Sequence, residues 1–459
     1  MIANHKTSFP PHALRASAAG AGTVLAAAAA GYFAATSFVA ALAVVCLPFG
    51  LLVLQSRLVR SVVFLSGIFA FQSSQSVTLP KLLYLSLVGA AAAAAFAEIT
   101  RSTREEELRS PLLMMTGSAI AATGVAAIVG RVEGNPGSLI FRDASAYILL
   151  AIAPLIAYDL AHSCSRRQLL ALALTVFVVG AISYNIEWLS NRRGLAQYSV
   201  SRLALPSFML LTALVALGVA GVREKGLRPG LWWAAIAAVG AALALSTGSR
   251  SALALIAVPA VTFIDRRGWS LRLMARQTVR LVAILLLGLS FISVFADVTG
   301  ARLDRVRARF RTIPEIVRGD SRDQSVAARQ IQVHESLERF TASPLLGLGF
   351  GHQFRYVTPS GESGEAISPD TGLAFVAKFG LLGIAVLVLW TRAARRLARV
   401  KSSRGFERLA LKGFAAGAIA WSLSFVPFED KGFAFALALL LALLLQPFEE
   451  RGRQGLWGP

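Results

Sequence analysis

The stretch ISPDTGLAFVAKFGLLGIAVLVLWTRAARRLARVKSSR, residues 367–404, decides how the chain is read. Its first half re-enters an apolar run after a long polar interval and predicts a membrane span over about 371–391. Its second half is a basic loop. Between Trp390 and Ala410 stand Arg392, Arg395, Arg396, Arg399, Lys401, Arg404 and Arg408, against the single Glu407. Short cytoplasmic loops collect Lys and Arg, so this loop is assigned to the cytoplasmic side. The span before it then runs inward, and the interval 297–370 lies outside.

Counting backwards tests that anchor. DRRGWSLRLMARQTVR at 265–280, REKGLR at 223–228, SRR at 165–167, Arg101 to Arg109, and Arg57 with Arg60 all fall inside under strict alternation. EGNPGS, NRRGLAQYS and QSSQSVTLP fall outside. The apolar run 61–72 has only about a dozen residues and fits a short or tilted span, or one that dips into the bilayer. Residues 231–264 as one helix would reach roughly 50 Å, against a hydrocarbon thickness of about 30 Å, so two spans are predicted, turning at Thr247–Ser251. The expectation is an all-α polytopic membrane protein with roughly 12–14 transmembrane helices and both termini inside. It is a single membrane domain over 1–459, with 297–370 as a long periplasmic loop or lid containing amphipathic helices.

Composition agrees. Of 459 residues, 55% are hydrophobic and 15% charged, and the mean hydropathy is +0.62. Charges cluster between apolar runs of about 17 to 22 residues, as in polytopic helical membrane proteins. The net charge of +21 is explained by positive-inside loops and anionic lipid, with no nucleic acid among the expected partners. Two cysteines, Cys46 and Cys164, are too few for a disulfide framework or a thiolate metal site. The uncharged interval between Arg15 and Gln55 is too long for a cleavable signal, so no processing is expected.

Within the long loop, Leu303, Val306, Phe310 and Ile313 recur at helical spacing among arginines, a helix pattern ending near Pro314. A second helix carries Val326, Val333, Leu337 and Phe340 as its stripe, with Asp323 or Ser325 as cap. Arg329 sits on that stripe and turns toward whatever it packs on, while Glu335 and Arg339 face away and His334 lies on the flank. His352 follows GLGFG, whose glycines allow close approach of backbone to a ligand. Other arginines share the outer side: Arg192 and Arg193 in NRRG, Arg202 where the next span begins, and Arg250 in the TGSR turn. Arginine suits bidentate binding of phosphate oxygens, and Arg250 is a single charge between two apolar helices.

TGSRSALALIA, then Arg329, SPLLGLGFG and a helix ending KFGLLG together resemble the O-antigen ligase and polymerase superfamily of bacterial envelope biosynthesis, over about residues 188–383. The resemblance implies a GT-C-like, metal-independent, cofactor-free inverting glycosyltransferase of the bacterial inner membrane. Its donor is an undecaprenyl-pyrophosphate-linked glycan, its acceptor a glycan or lipid-linked sugar, with room for a chain-length regulator as partner. By position Arg250 matches the family's Ser-Arg turn, Arg329 the arginine ahead of Pro-Leu-Leu-Gly, and Arg202 matches more loosely. One departure counts: where ligases carry a histidine pair before the re-entrant helix, this chain has Pro369-Asp370. Asp370 fits a carboxylate base, an acceptor-orienting group or a helix cap. The missing histidine favours a polymerase of polysaccharide repeat units over an O-antigen ligase acting on lipid A-core. A transporter or flippase of lipid-linked sugars is the reading from another class, and a non-catalytic assembly partner a third.

Overall fold

The computed structural model describes residues 50–71, 79–101, 106–191, 207–225, 229–246, 324–357, 363–400 and 405–446, with isolated positions between 255 and 290. In chain order come α1 (Arg57–Leu65), α2 (Gly67–Ala70), α3 (Leu79–Arg101), α4 (Glu106–Val132), α5 (Gly137–Ser163), α6 (Arg166–Asn191), α7 (Phe208–Lys225) and α8 (Leu231–Ser246). After these stand α9 (Gln324–Ala342), strands β1 (Phe354–Val357) and β2 (Ser363–Ala366), α10 (Leu373–Val400), α11 (Gly405–Trp421), a 3-10 turn at Pro427–Glu429, and α12 (Lys431–Leu445). The structure is mostly helical. It departs from the all-α expectation by the hairpin β1–β2, antiparallel with Phe354 opposite Ala366 and Val357 opposite Ser363.

Among the described residues four helices, α3, α4, α5 and α10, are long and apolar enough to cross a membrane, and α8 and α12 contain shorter apolar stretches. A helix apolar on all sides belongs in the middle of a bundle. α5, α7 and α12 do so: nearly every residue along α7 and α12, and α5 from Asp143 to Ala161, is buried. α5 packs against α12 and α4, α7 against α8 and α11, and α10 against α4. Large apolar side chains such as Ile128, Trp232, Ile419 and Leu423 are left exposed on the outside, the surface a bilayer would cover.

Contacts between helix ends fall into two groups. On one face Arg60 clamps Asp159 at the end of α5 through Nε and Nη2, at 2.6 and 2.9 Å, and reaches Glu98 near the end of α3 at 2.5 Å. Arg57 pairs with the same Glu98. Arg166 at the start of α6 donates to buried Glu407 at the start of α11 at 2.7 Å, and Gln446 after α12 donates to Ala161 O and Cys164 O. The basic loops at 57–60, 165–167 and around 405 therefore share one face. On the opposite face the half-buried Asp430 caps two helices, accepting from Gly432 N–H of α12 at 2.9 Å and from Ser207 Oγ and Met209 N–H of α7 at 2.6 and 3.1 Å.

The run 61–72 is no single helix. It breaks at Ser66, and its first part lies against α3, where Tyr84 donates its hydroxyl to Phe64 O at 2.7 Å.

Candidate functional site

The segment KFGLLG reads as uninterrupted helix, but the backbone is broken at Gly380, where φ is 59° and ψ is −149°. That region is open essentially to glycine alone. A break frees amide and carbonyl groups that, at membrane depth, must find partners within the protein. The glycine-rich loop after α9 supplies them. Leu348 N–H donates to Ala377 O at 2.9 Å and Gly349 N–H to Lys378 O at 3.1 Å. In return Leu381 N–H donates to Pro344 O at 2.8 Å and Leu382 N–H to Leu345 O at 3.2 Å. Gly347, at φ +70°, lies so near that a Cβ would stand 2.3 Å from the Lys378 carbonyl carbon. The loop continues onto α4, with Phe350 N–H donating to Ala126 O at 2.9 Å. The neighbours that its glycines admit are thus the backbones of α10 and α4.

Just before the break stands Lys378, fully buried. Its ammonium donates to Asp143 Oδ1 of α5 at 2.8 Å and to Glu429 Oε1 at 2.6 Å. Gly351 N–H donates to the other oxygen of Asp143 at 3.2 Å. Tyr147, one turn after Asp143, donates its hydroxyl to Glu429 Oε1 at 3.3 Å, and Ser368 donates to Glu429 Oε2. The Tyr147 ring is stacked on Phe350 at 5.2 Å and meets Phe379 edge-on at 4.9 Å. Two carboxylates share one ammonium here. Below it, between α4, α5 and α10, lies an apolar crevice lined by Ala122, Thr123, Tyr147, Phe375, Phe379 and Trp390.

Over the outer end of α10 lies α9. Gln332 on α9 is buried, and its Oε1 accepts the Asp370 N–H at 2.5 Å. Arg329, half-buried, precedes Gln332 by one turn on the same face. The buried side of this helix is Gln332 and Ser336, whereas Leu337 of the expected stripe is 45% exposed. The physical reason is the Asp370 N–H in the segment before α10, an amide that needs an acceptor and finds it in Gln332, while Ser336 Oγ donates back to Gln332 O at 2.8 Å. Glu335 is also not turned away; it is half-buried and accepts from Arg339 Nε at 2.9 Å. The helix begins at Gln324, so Ser325 falls inside its first turn, and Asp323 lies outside the described residues. His334 is exposed, as expected.

The first amide of α10, Leu373 N–H, is capped by Thr371 Oγ1 at 3.3 Å, while Asp370 is exposed at the rim. His352 is half-buried, with its ring edge-on to Phe354 at 5.1 Å, and among the described residues its buried Nε2 has no hydrogen-bond partner. Burial and the nearby Arg339 guanidinium hold its imidazole below the ordinary value. Asp370 is thus joined to α9 at Gln332, one turn after Arg329. Arg192, Arg193, Arg202 and Arg250 lie outside the described residues, as do 297–323.

Sequence reasoning passed over Lys378, Asp143 and Glu429. Each is an ionisable residue in or beside an apolar run, and such charges in membrane segments call for a partner. Among the described residues no group of three His, Cys, Asp or Glu side chains is placed to hold a metal ion. A scan against models of protein families finds no match to this chain, and neither does a search of curated proteins.

Proposed function

We propose that the chain is an integral-membrane glycosyltransferase that polymerises undecaprenyl-pyrophosphate-linked oligosaccharide repeat units on the periplasmic face of the bacterial inner membrane. The observation that carries the reading is the corner where α9, bearing Arg329, meets Asp370 at the outer end of a broken membrane helix. In this reading the α9 face is periplasmic and the Arg60 face cytoplasmic, in keeping with the basic loops gathered on the latter. Arg250 and Arg329 stabilise the departing pyrophosphate, with Arg192, Arg193, Arg202 and His352 contacting donor phosphate and glycan. The apolar crevice beneath Tyr147 matches the chemistry of a prenyl chain. The reaction is inverting and metal-independent: an acceptor hydroxyl attacks the anomeric carbon and pyrophosphate leaves from the other side.

The test is purified protein with lipid-linked repeat unit, in the presence of a chelator. Polymer is expected from the wild type and none from Arg250→Ala or Arg329→Ala at equal abundance. Wild-type polymer from both variants, or a strict demand for divalent cation, overturns the reading. In a deletion strain, single repeats accumulating on the lipid carrier mark a polymerase, and full-length polymer left on it marks the alternative, an O-antigen ligase.

A second reading, a transporter or flippase of lipid-linked sugars, is favoured by a different observation. Buried charges beside an interrupted helix are what transporters place at their substrate sites. Proteoliposomes separate the two: movement of lipid-linked sugar between leaflets without chain growth selects the transporter.

A further inference from the structure

Resting on the polymerase reading, we propose that Glu429 is the catalytic base, the carboxylate that takes the proton from the attacking acceptor hydroxyl. The glycosyl transfer needs such a group, and the histidine that ligases carry is replaced in this chain by Pro369-Asp370. Glu429 has the two properties a base at this corner requires. Its Oε1 is saturated from the interior by Lys378 at 2.6 Å and Tyr147 at 3.3 Å, which fixes the carboxylate. Its Oε2 faces outward and is met by a hydroxyl already, that of the exposed Ser368. An acceptor sugar hydroxyl arriving from outside takes the place that Ser368 occupies.

The location agrees. Ser368 is two residues before Asp370, whose amide is bonded to Gln332, one turn past Arg329. Base and phosphate-binding arginine therefore stand around the same end of α10. In the step, the acceptor oxygen bonds to the anomeric carbon while the bond from that carbon to the pyrophosphate oxygen breaks. The bonding pair leaves with pyrophosphate, and the hydroxyl proton moves to Glu429 Oε2, from which it passes to water as Ser368 returns.

The experiment uses full-length protein and lipid-linked repeat unit. Glu429→Gln keeps the shape and is expected to slow chain growth by about 100-fold or more, the range of lost general-base catalysis, with abundance and retention of radiolabelled donor unchanged. Ser368→Ala and Asp370→Asn are expected to lose less than about 10-fold. The titratable groups around Glu429 are Lys378 of α10, Asp143 and Tyr147 of α5, and Asp430 and Lys431 at the start of α12. Unimpaired growth in Glu429→Gln, beside an active wild type, overturns the role of Glu429 alone. Should that variant fail to accumulate, Glu429→Asp decides: it keeps a carboxylate but draws it back from Ser368, and chain growth at the wild-type rate overturns the proposal. No polymer from the wild type removes the polymerase reading and this inference together.

Discussion

Two glycines with the same backbone sign separate conformational cost from close approach. Gly134 in the turn after α4 has φ +80° and open space around the position of a Cβ; Gly347 has φ +70° and the Lys378 carbonyl 2.3 Å away. Gly134→Ala therefore incurs only the left-handed penalty, about 1–2 kcal/mol. Gly347→Ala incurs that penalty and must also push the loop off α10, straining the bonds from Leu348 to Ala377 O and from Gly349 to Lys378 O. Each such bond contributes about 0.5–1.5 kcal/mol, more where the freed carbonyl stays dry. The expected loss at Gly347 is thus about 3–5 kcal/mol. Thermal unfolding in a single detergent, followed by tryptophan fluorescence, should show a midpoint drop for Gly347→Ala at least about twice that for Gly134→Ala. Equal drops would mean that the loop does not lie in the break of α10.

Removal of the shared ammonium is the second perturbation. Lys378→Met leaves two carboxylates facing each other without a cation and should cost about 3–5 kcal/mol, seen as reduced accumulation in membranes. Adding Asp143→Asn and Glu429→Gln to it should recover part of the loss; wild-type accumulation of Lys378→Met alone would refute the pairing. The third concerns pH. Burial and Arg339 lower the proton affinity of His352 in the fold, so the unfolded chain binds the proton more readily. This contribution is fully present above the ordinary value of about 6.5 and is lost as pH falls below it. From about pH 7.5 to about pH 5.5 the unfolding midpoint of the wild type should fall further than that of His352→Gln, and parallel falls would sink the assignment.

Hydropathy made the long apolar helices legible, because it reports on which solvent a segment meets. The second helix of the long loop was legible as an element: its stripe spans 326–340 and α9 spans Gln324–Ala342. Its orientation was not, since Gln332 turns toward the Asp370 amide, which comes from a segment 38 positions away. The break at Gly380 is hidden within KFGLLG because an apolar run has the same hydropathy bent or straight. Arg329 and Asp370 were singled out by position, whereas the bridge between them through Gln332 is a tertiary fact. The pairs Asp143–Lys378 and Lys378–Glu429 join residues 235 and 51 positions apart, and no local pattern encodes such a meeting.

That separation has a consequence for biogenesis. α5 leaves the ribosome with Asp143 already in it, and 235 residues must follow before Lys378 is made. At about 5–20 residues per second, the carboxyl waits roughly 10–50 s for its cation. The same delay applies to Ala126, whose carbonyl is bonded by Phe350. Asp143 and the Ala126 carbonyl are thus made first, α10 and its threading loop bring their partners later, and Glu429 completes the group 51 positions after Lys378.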